Sequence, residues 1–237
     1  GEEVKDFKCT TPIEPVGYPV KTFKNKPRLN LKLDYKFNFL TVAQWGPRKN
    51  LNNTIKWFVE EFKNDEVGLV IKANKSKNNI MDRYQCRQEL ESLLSNYPDR
   101  KCKVYLLHGH MTDEEMHALY KNTKLKAIVS TSHGEGYGLP LFEAAYTGMP
   151  VIAPEWSGQC DFLFAPVKDK KGKEKVKPLF SRINYTLRTV QKEAVWKGVI
   201  EPDSMWCYPD EKSCKAAMRD VFKDHGRFKK QAKTLQK

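Results

Sequence analysis

Long apolar runs are absent from this sequence. No window approaches the ~18 consecutive apolar residues that a membrane-spanning helix requires. No N-terminal stretch has the charged, apolar and small-residue layout of a secretory signal. We therefore expect no transmembrane segment and a cytoplasmic location. Global disorder is not expected either, because the apolar fraction of 40% and the charged fraction of 30% are ordinary for a folded protein.

Paired cysteine motifs are also absent. The six cysteines form no C-x-x-C, and none stands at a zinc-ligand spacing from a histidine pair. Free thiols in a reducing compartment are therefore the expected state. His108 and His110 form an H-x-H pattern. Because no third ligand is evident, we interpret this segment as a strand end followed by a loop, and we predict no metal site.

Acidic residues are too few to balance the basic ones, and the net charge of +13 predicts attraction to anions. Nucleic acid, an anionic membrane and phosphorylated small molecules all fit this charge. Much of the excess lies in Lys168–Lys177 and near Arg227 and Lys230, which we interpret as a solvated loop and a solvated helix face. A nucleic-acid-binding module remains an alternative, because Tyr185–Lys192 and Trp196–Trp206 loosely combine basic and aromatic residues.

The chain divides into three segments by pattern. Residues 1–35 are punctuated by prolines and develop no helical period, which predicts an extended linker. Residues 36–225 carry the ordered pattern of a folded domain. Residues 226–237 are basic and are predicted to form a helix or a tail. Within the domain the pattern weakens after Gly158, where 166–178 is predicted to be a lysine-rich loop or hairpin and Pro202–Pro209 a turn region.

Short apolar runs alternate with helical periods through the domain. The predicted strands are Phe37–Val42, Val67–Ile71, Val104–Leu107, Ala127–Val129 and Val151–Ala153. The predicted helices are 51–62, 81–94, a helix beginning at a Thr112–Glu115 capping box, 140–147 and 212–224. This alternation predicts a single α/β Rossmann-like domain, with a parallel sheet and helices on both faces. Its ligands should lie at the carboxyl ends of the strands.

The segment Ser130–Ala153 (STSHGEGYGLPLFEAAYTGMPVIA) carries the chemistry. It is predicted to be a strand end, a glycine-rich loop and a helix that begins at Pro140. The amides of Gly138 and Leu139 precede the helix, so they have no intrahelical partner and favour a phosphate in front of them. A carboxylate next to a phosphate site needs neutral hydroxyl groups as donors, and a ribose or a sugar supplies them to Glu143 and Glu135.

A glycine-rich turn before a helix is a weak signal by itself, because many α/β turns have it. A nicotinamide-dinucleotide site is one alternative. Its fingerprint opens the first βαβ unit and is followed by an acid about 20 residues later. Here the loop comes late in the sheet, and the corresponding later stretch is a loop, Pro154–Ser157.

A longer pattern carries a family resemblance. Glu135–Ala145 followed by Gly148–Ala153 resembles the E-x7-E signature of the "glycosyl transferases group 1" family. Leu40–Leu51, Val104–Tyr120 and the Ser157-Gly158 pair with Asp161 resemble flanking parts of that family, in the same order, so the resemblance covers about residues 37–165. It implies a retaining glycosyltransferase that uses nucleotide sugars. The implied architecture is the GT-B fold of two Rossmann-like domains, of which this chain resembles the C-terminal, donor-binding half.

The resemblance implies a role for each matched residue. Glu135 and Lys49 would be catalytic, with Glu135 on the donor sugar and Lys49 neutralising the diphosphate as it leaves. Glu143 would bind the ribose hydroxyls, and the Gly138 and Leu139 amides would hold the diphosphate. The full set of implied donor-binding residues is Glu143, Gly138, Leu139, Tyr137, Gly136, Arg48, Gln44, Gly46, Gly109, His110 and Met111, with the base against the last three.

One position departs from the family pattern. The family usually has an arginine five positions before its lysine, where this chain has Gln44. Arg48 adjoins Lys49 and would supply the missing charge. The chain also contains no D-x-D, the acidic pair with which the other large glycosyltransferase fold holds a metal. We therefore predict transfer without a metal or cofactor, with a UDP-, GDP- or ADP-linked sugar as co-substrate and cationic side chains stabilising the leaving group.

An acceptor domain precedes the donor domain in a GT-B enzyme, and here only the predicted linker precedes Phe37. Cys9–Pro15 (CTTPIEP) resembles the crossover between the two domains. We therefore expect an N-terminal acceptor domain or a partner chain, no nucleic-acid partner, and no transfer by this chain alone. A non-catalytic protein that binds sugar nucleotides remains a further alternative.

Overall fold

The computed structural model describes Phe23, residues 27–168 and residues 172–236. Cys9–Pro15, the predicted crossover, lies outside the described residues. The described strands are β1 (Asn38–Gln44), β2 (Gly68–Asn74), β3 (Lys103–Leu107), β4 (Leu125–Val129), β5 (Val151–Pro154), β6 (Phe164–Lys168), β7 (Glu174–Pro178), β8 (Ser181–Ile183), β9 (Tyr185–Thr189) and β10 (Met205–Pro209). The described helices are α1 (Leu51–Phe62), α2 (Ile80–Leu94), α3 (Asp113–Tyr120), α4 (Leu139–Tyr146), α5 (Cys160–Leu163), α6 (Glu211–Lys223) and α7 (His225–Leu235).

Six strands form one parallel sheet in the order β3-β2-β1-β4-β5-β8. The chain runs from β1 outward to β3, then returns to place β4 on the other side of β1. The loops that follow β1 and β4 therefore diverge from neighbouring strands and leave a crevice at their carboxyl ends. The predicted parallel α/β Rossmann-like fold is confirmed.

The core covers both faces of the sheet. Successive residues of β1 point to opposite faces, so Phe39 packs into one apolar cluster and Leu40 into the other. The first cluster receives α1, α2 and α6, and the second receives α3 and α4. Leu33, from the segment predicted to be a linker, is buried in the second cluster. Helices therefore cover both faces, as the alternating pattern predicts.

Local signals determine several helix ends. Helix α1 has the predicted bounds, and its apolar period is buried against the sheet. The Thr112 hydroxyl accepts from the amide of Glu115, whose carboxylate accepts from the amide of Thr112, so the predicted capping box is present. Helix α4 begins after Gly138, which has a φ of 89° that favours glycine over any side chain.

The region after Gly158 differs from the prediction in two places. Pro202–Pro209 was expected to be a turn region, but Met205–Pro209 is strand β10, paired antiparallel with β9. The prediction was wrong because β10 is stabilised by a distant contact: the Trp206 ring stacks on the His133 ring, with centroids 4.8 Å apart. The short strand β8, which completes the sheet, carries no sequence signal that predicts it. The lysine-rich segment does form a hairpin, between β6 and β7.

Two further expectations concern the whole chain. All five cysteines within the described ranges are free: Cys86, Cys102, Cys160, Cys207 and Cys214. No helix in the part of the chain that the structure describes is long and apolar enough to cross a membrane. Trp206, part of the aromatic stretch that would favour nucleic-acid binding, is buried and contacts the His133 ring, whereas Trp196 is exposed.

Candidate functional site

Two loops meet at the point where the strand order reverses. The loop after β1 ends in a 3-10 turn, Pro47–Lys49, and the loop after β4 carries Glu135. The Nζ of Lys49 lies 2.6 Å and 2.7 Å from the two carboxylate oxygens of Glu135. The Nη1 of Arg48 lies 3.3 Å from Oε2 of the same carboxylate and also donates to the carbonyl of Gly134. Two cations therefore share one carboxylate at the crevice.

The Lys49–Glu135 pair is largely shielded from water. The Lys49 side chain is 16% exposed and the Glu135 side chain 10% exposed, whereas Arg48 is 42% exposed. Burial lowers the pKa of Lys49, and the charge of Glu135 opposes that shift. A charge in a shielded site interacts more strongly with a ligand than the same charge in water. Lys49 is therefore the stronger electrostatic element of the pair of cations, and Arg48 the more solvated one.

The loop after β5 holds Glu135 in place. The Oγ of Ser157 accepts from the amide of Glu135 and donates to its carbonyl, which also accepts from the amide of Gly158. Ser157 adopts a φ of 73°, uncommon for a residue with a side chain. A Cβ at Gly158 would overlap the carbonyl of Gly136. The Ser157-Gly158 pair therefore serves a close backbone approach that fixes the glycine-rich loop.

The amino end of α4 adjoins this loop. Gly138 is its N-cap, and the amides of Gly138 and Leu139 have no acceptor one turn earlier in the helix. Glu143 lies one turn further in, beyond the first turn. Its Oε2 accepts from the hydroxyl of the buried Tyr120, 3.1 Å away. Burial and the nearby carboxylate raise the pKa of Tyr120 well above its usual value, so the tyrosine stays neutral and orients Glu143.

A cleft of about 450 Å³ opens beside these residues. Six of the predicted site residues line it, namely Gln44, Arg48, Lys49, Gly109, His110 and Met111. Six residues that the sequence analysis did not assign to the site also line it: Val42, Ala43, Lys72, Asn74, Asn78 and Met116. The sequence signal that could have identified Lys72 is a lysine that follows the apolar residues of the strand GLVIKAN near its carboxyl end. Pro140 of α4 completes the lining next to the helix amino end.

Other predicted residues lie near the cleft but do not line it. The Tyr137 ring packs among aromatic side chains, with ring centroids 5.5 Å from Phe142 and 5.1 Å from Phe162. Glu143 faces Tyr120, as described above. Gly46 belongs to the turn before Lys49, since its carbonyl accepts from the Lys49 amide at 3.1 Å. Glu135, Gly136, Gly138 and Leu139 are also absent from the lining. The structure thus separates the predicted set into six residues that line the cleft and seven that lie in the adjoining turn, loop and helix.

The two histidines of the H-x-H pattern point to different environments. His110 lines the cleft, whereas the Nε2 of His108 lies 2.8 Å from Oδ1 of Asp82. Asp82, Cys86 and His108 are the three ligand-type side chains that converge among the described residues. Asp82 already accepts from the amides of Lys75, Ser76 and Lys77, at 2.9, 2.6 and 2.8 Å. The carboxylate is thus occupied in holding the loop after β2.

The arrangement fits an anionic ligand. Lysine and arginine side chains, unpaired amides at a helix amino end and a cleft at the strand-order reversal are the elements that bind phosphate groups in α/β proteins. The fold and site therefore define a Rossmann-like α/β domain with a cleft lined by cationic side chains at the carboxyl ends of its strands. Residues 22–166 match the family model of "Glycosyl transferases group 1". The chain belongs to this family.

Curated relatives resemble the chain over part of its length. A serotype-specific mannosyltransferase, WbdA from Escherichia coli, is 30% identical over 118 residues, which span 48% of this chain and 13% of the relative. A second WbdA sequence from the same species is 30% identical over 115 residues. The matched segment is thus a small fraction of a much longer protein.

Solved structures resemble the fold more completely. A glycosyltransferase from Rickettsia africae has a TM-score of 0.54 at 13% identity, over 84% of this chain and 41% of its own. The C-terminal domain of a glycosyl transferase group 1 family protein from Francisella tularensis has a TM-score of 0.51 at 17% identity, over 84% of this chain and 82% of its own. A structure described as "Trehalose-6-phosphate from E. coli bound with UDP-2-fluoro glucose" has a TM-score of 0.53 at 11% identity, over 84% of this chain and 39% of its own. At these identities the likeness concerns the fold.

Proposed function

We propose that this chain binds a nucleotide-diphosphate sugar in the cleft and, together with an acceptor domain, transfers the sugar to an acceptor hydroxyl with retention and without a metal ion. The observation that carries the proposal is the cluster of Lys49, Arg48 and Glu135 at the strand-order reversal, beside the amino end of α4. Membership of the glycosyl transferases group 1 family supports it.

Each part of the donor has proposed partners in the cleft or in the loop and helix that adjoin it. The diphosphate would lie between Lys49 and the amides of Gly138 and Leu139, which are directed at whatever precedes the helix. The base would lie against Gly109–Met111. The ribose hydroxyls would donate to Glu143, and the sugar hydroxyls to Glu135. Both carboxylates are already oriented by protein partners, so they would need little rearrangement to accept from a ligand.

The chemistry follows from the charge that develops in the reaction. Cleavage of the bond between the sugar and the phosphate leaves negative charge on the diphosphate. Lys49 and the helix amides would stabilise that charge in a shielded site, where preorganised donors act most strongly. The Glu135 carboxylate would release Lys49 toward the phosphates when the donor arrives. In this scheme the lysine and the amides stabilise the leaving diphosphate, so no metal ion is needed.

The relatives support the nature of the donor and the need for a second domain. One relative is named a mannosyltransferase, and one structural neighbour is bound with UDP-2-fluoro glucose. The chain spans 13% of the WbdA sequence and 41% of the R. africae glycosyltransferase. A larger assembly, in which an acceptor domain faces the cleft, would therefore complete the active site.

Calorimetric titration with UDP, GDP and ADP, each free and sugar-linked, tests the proposal. We expect one nucleoside diphosphate to bind, and Lys49→Met to weaken that binding about tenfold or more. Lys56→Met is the matched control, because the exposed Lys56 side chain lies on α1, pairs with Glu60 and does not line the cleft. The proposal is wrong if none of the six ligands binds. It is also wrong if Lys49→Met and Lys56→Met both bind the nucleoside diphosphate as tightly as the unchanged protein does.

A further inference from the structure

A third cation lies in the cleft, on a different element from Lys49 and Arg48. Lys72 is in β2, directly opposite Val42 of β1 in the parallel register. Its strand neighbours Ile71 and Ala73 are buried, so Lys72 interrupts the apolar residues between Gly68 and Ala73 near the carboxyl end of the strand. Placing a charged side chain there costs desolvation free energy that a leucine or valine would not cost. The fold alone gives no reason for this residue type.

The charge of Lys72 is not neutralised within the described residues. Its Nζ donates to the carbonyl of Gly109 at 2.5 Å, and no ion pair joins it to a carboxylate in the described part of the chain. Burial lowers the pKa of Lys72, and no charged neighbour contributes to that shift. An ammonium group has three donors, and the Gly109 carbonyl engages one of them. Two donors remain for a ligand in the cleft.

The other cations of the cleft are already committed. Glu135 pairs with both Lys49 and Arg48, so its charge cancels part of theirs. Gln44 also lines the cleft, but its side chain is neutral, and its Nε2 donates to the carbonyl of Lys75 at 2.7 Å. Lys75 itself pairs with Glu89. Lys72 is therefore the cleft cation whose charge is available to an anion without breaking an ion pair.

We infer that Lys72 is a phosphate-binding residue of the donor site, whose ammonium group contacts the diphosphate from the β2 side while it holds the Gly109 turn. This inference rests on the proposed function, because it assigns a further residue to the same ligand. Lys72 then approaches the diphosphate from β2, and Lys49 approaches it from the turn after β1. The charge that binds the phosphates comes from β2 as well as from the loop after β1.

The structure offers a closely matched control. Lys229 on α7 is also a partly buried lysine, its Nζ donates to the carbonyl of Gly148 at 2.9 Å, and burial lowers its pKa. It does not line the cleft. Replacing either lysine removes one charge and one hydrogen bond to a glycine carbonyl. The two replacements differ in whether the charge faces the cleft.

The experiment is calorimetry at fixed ionic strength on the unchanged chain, Lys72→Met, Lys72→Arg and Lys229→Met. The ligands are UDP, GDP and ADP and the matching nucleosides, uridine, guanosine and adenosine. For the diphosphate that binds, we expect Lys72→Met to lose about tenfold or more in affinity and Lys72→Arg to retain most of it. Nucleoside binding should change by less than about threefold. Lys229→Met should bind as the unchanged chain does.

Each other outcome has a definite meaning. Equal losses for diphosphate and nucleoside would overturn the inference, because Lys72 would then only shape the base turn. Unchanged diphosphate affinity in Lys72→Met, or an equal loss in Lys229→Met, would also overturn it. In those cases the proposed function still stands if Lys49→Met weakens nucleoside-diphosphate binding. If the unchanged chain binds no nucleoside diphosphate, the inference and the proposed function are both wrong. If Lys72→Met does not fold, Lys72→Gln removes the charge but keeps a donor, and the same comparisons apply.

Discussion

The Nζ of Lys49 lies 2.6 Å from Oε1 of Glu135, although the two residues are 86 positions apart in the chain. The pair spans the crevice between the loops that follow β1 and β4. A bound diphosphate would compete with Glu135 for Lys49, because both carry negative charge. If the chain binds the donor as proposed, a change in the charge of Glu135 is expected to alter donor affinity, and substitution tests that expectation.

Glu135→Gln should raise the affinity for a free nucleoside diphosphate. The affinity for the sugar-linked form should fall relative to the affinity for the free form. The neutral amide removes a negative charge next to the phosphate site, which we expect to raise the affinity for the free diphosphate about threefold or more. It also removes the proposed acceptor for sugar hydroxyls. Calorimetry measures both affinities. Glu155→Gln is the control, since Glu155 pairs with Arg182 outside the cleft. Weaker binding of the free diphosphate by Glu135→Gln would contradict this account.

Glu143→Ala should lower nucleotide affinity about tenfold or more, because a carboxylate-to-hydroxyl bond contributes about 1.5–3 kcal/mol. Tyr120→Phe removes the hydroxyl that orients Glu143 but keeps the carboxylate, so its loss should be smaller. Calorimetry and Tm are measured for both variants. A purely structural role at the helix start is disfavoured by the position of Glu143 beyond the first turn of α4. A lower Tm with unchanged nucleotide affinity would nevertheless establish that role.

Chelation should leave donor binding intact. The proposed phosphate ligands are Lys49 and the amides of Gly138 and Leu139, so binding of the nucleoside diphosphate should persist in EDTA. The measurement is calorimetry with and without the chelator, followed by addition of Mg²⁺. Complete loss of binding in EDTA, recovered by Mg²⁺, would show that a metal bridges protein and diphosphate and would exclude the metal-independent scheme.

Asp82 should make stability depend on pH in the acidic range. Burial favours the neutral form of the Asp82 carboxyl. The hydrogen bonds that it accepts from the backbone amides of residues 75–77 and from His108 outweigh that effect and hold its pKa well below its usual range. The depressed pKa contributes stability that is present above the unfolded value of about 3.9 and is lost as pH falls below it. Asp82→Asn should lower the free energy of unfolding at pH 7 by about 2 kcal/mol or more, because the amide NH2 group replaces one of the two acceptor oxygens and the hydrogen bonds to a charged group are lost.

The measurement for Asp82 is Tm as a function of pH between neutrality and pH values near 3. The drop in Tm on acidification should be smaller in Asp82→Asn than in the unchanged chain. Asp99→Asn, at an exposed position, provides the control and should reproduce the unchanged curve. Parallel curves for the unchanged chain and Asp82→Asn would mean that Asp82 is not a source of the acid sensitivity.

The 237-residue chain should bind donor but not transfer the sugar. Transfer requires an acceptor hydroxyl held near the anomeric carbon, and such positioning supplies about 7–11 kcal/mol of the barrier. The described residues form one parallel sheet with its helices and hairpins, and no second domain among them faces the cleft. Product analysis with a sugar nucleotide and candidate acceptors provides the measurement. Efficient transfer would contradict this prediction and would mean that residues of this chain, such as the Trp196–Trp206 region, form an acceptor site.

Local spacing in the sequence determined the fold class and the secondary structure of its first half. The bounds of α1, the Thr112–Glu115 capping box and the alternation of strands and helices follow from residues within a few positions of each other. Six of the predicted site residues line the cleft because loops at the carboxyl ends of parallel strands share one edge of the sheet. Their individual roles stay predictions.

The tertiary structure alone decided the contacts between distant segments. Strand β10 is stabilised by the stacking of Trp206 on His133, and β8 by its place at the sheet edge; neither contact has a local pattern. The same holds for Lys72, which the sequence presents only as a lysine in an apolar strand. Lys72 lines the cleft because β2 lies beside β1, and no carboxylate of the described residues pairs with it. Electrostatic balance depends on distances through space, which residue order does not specify.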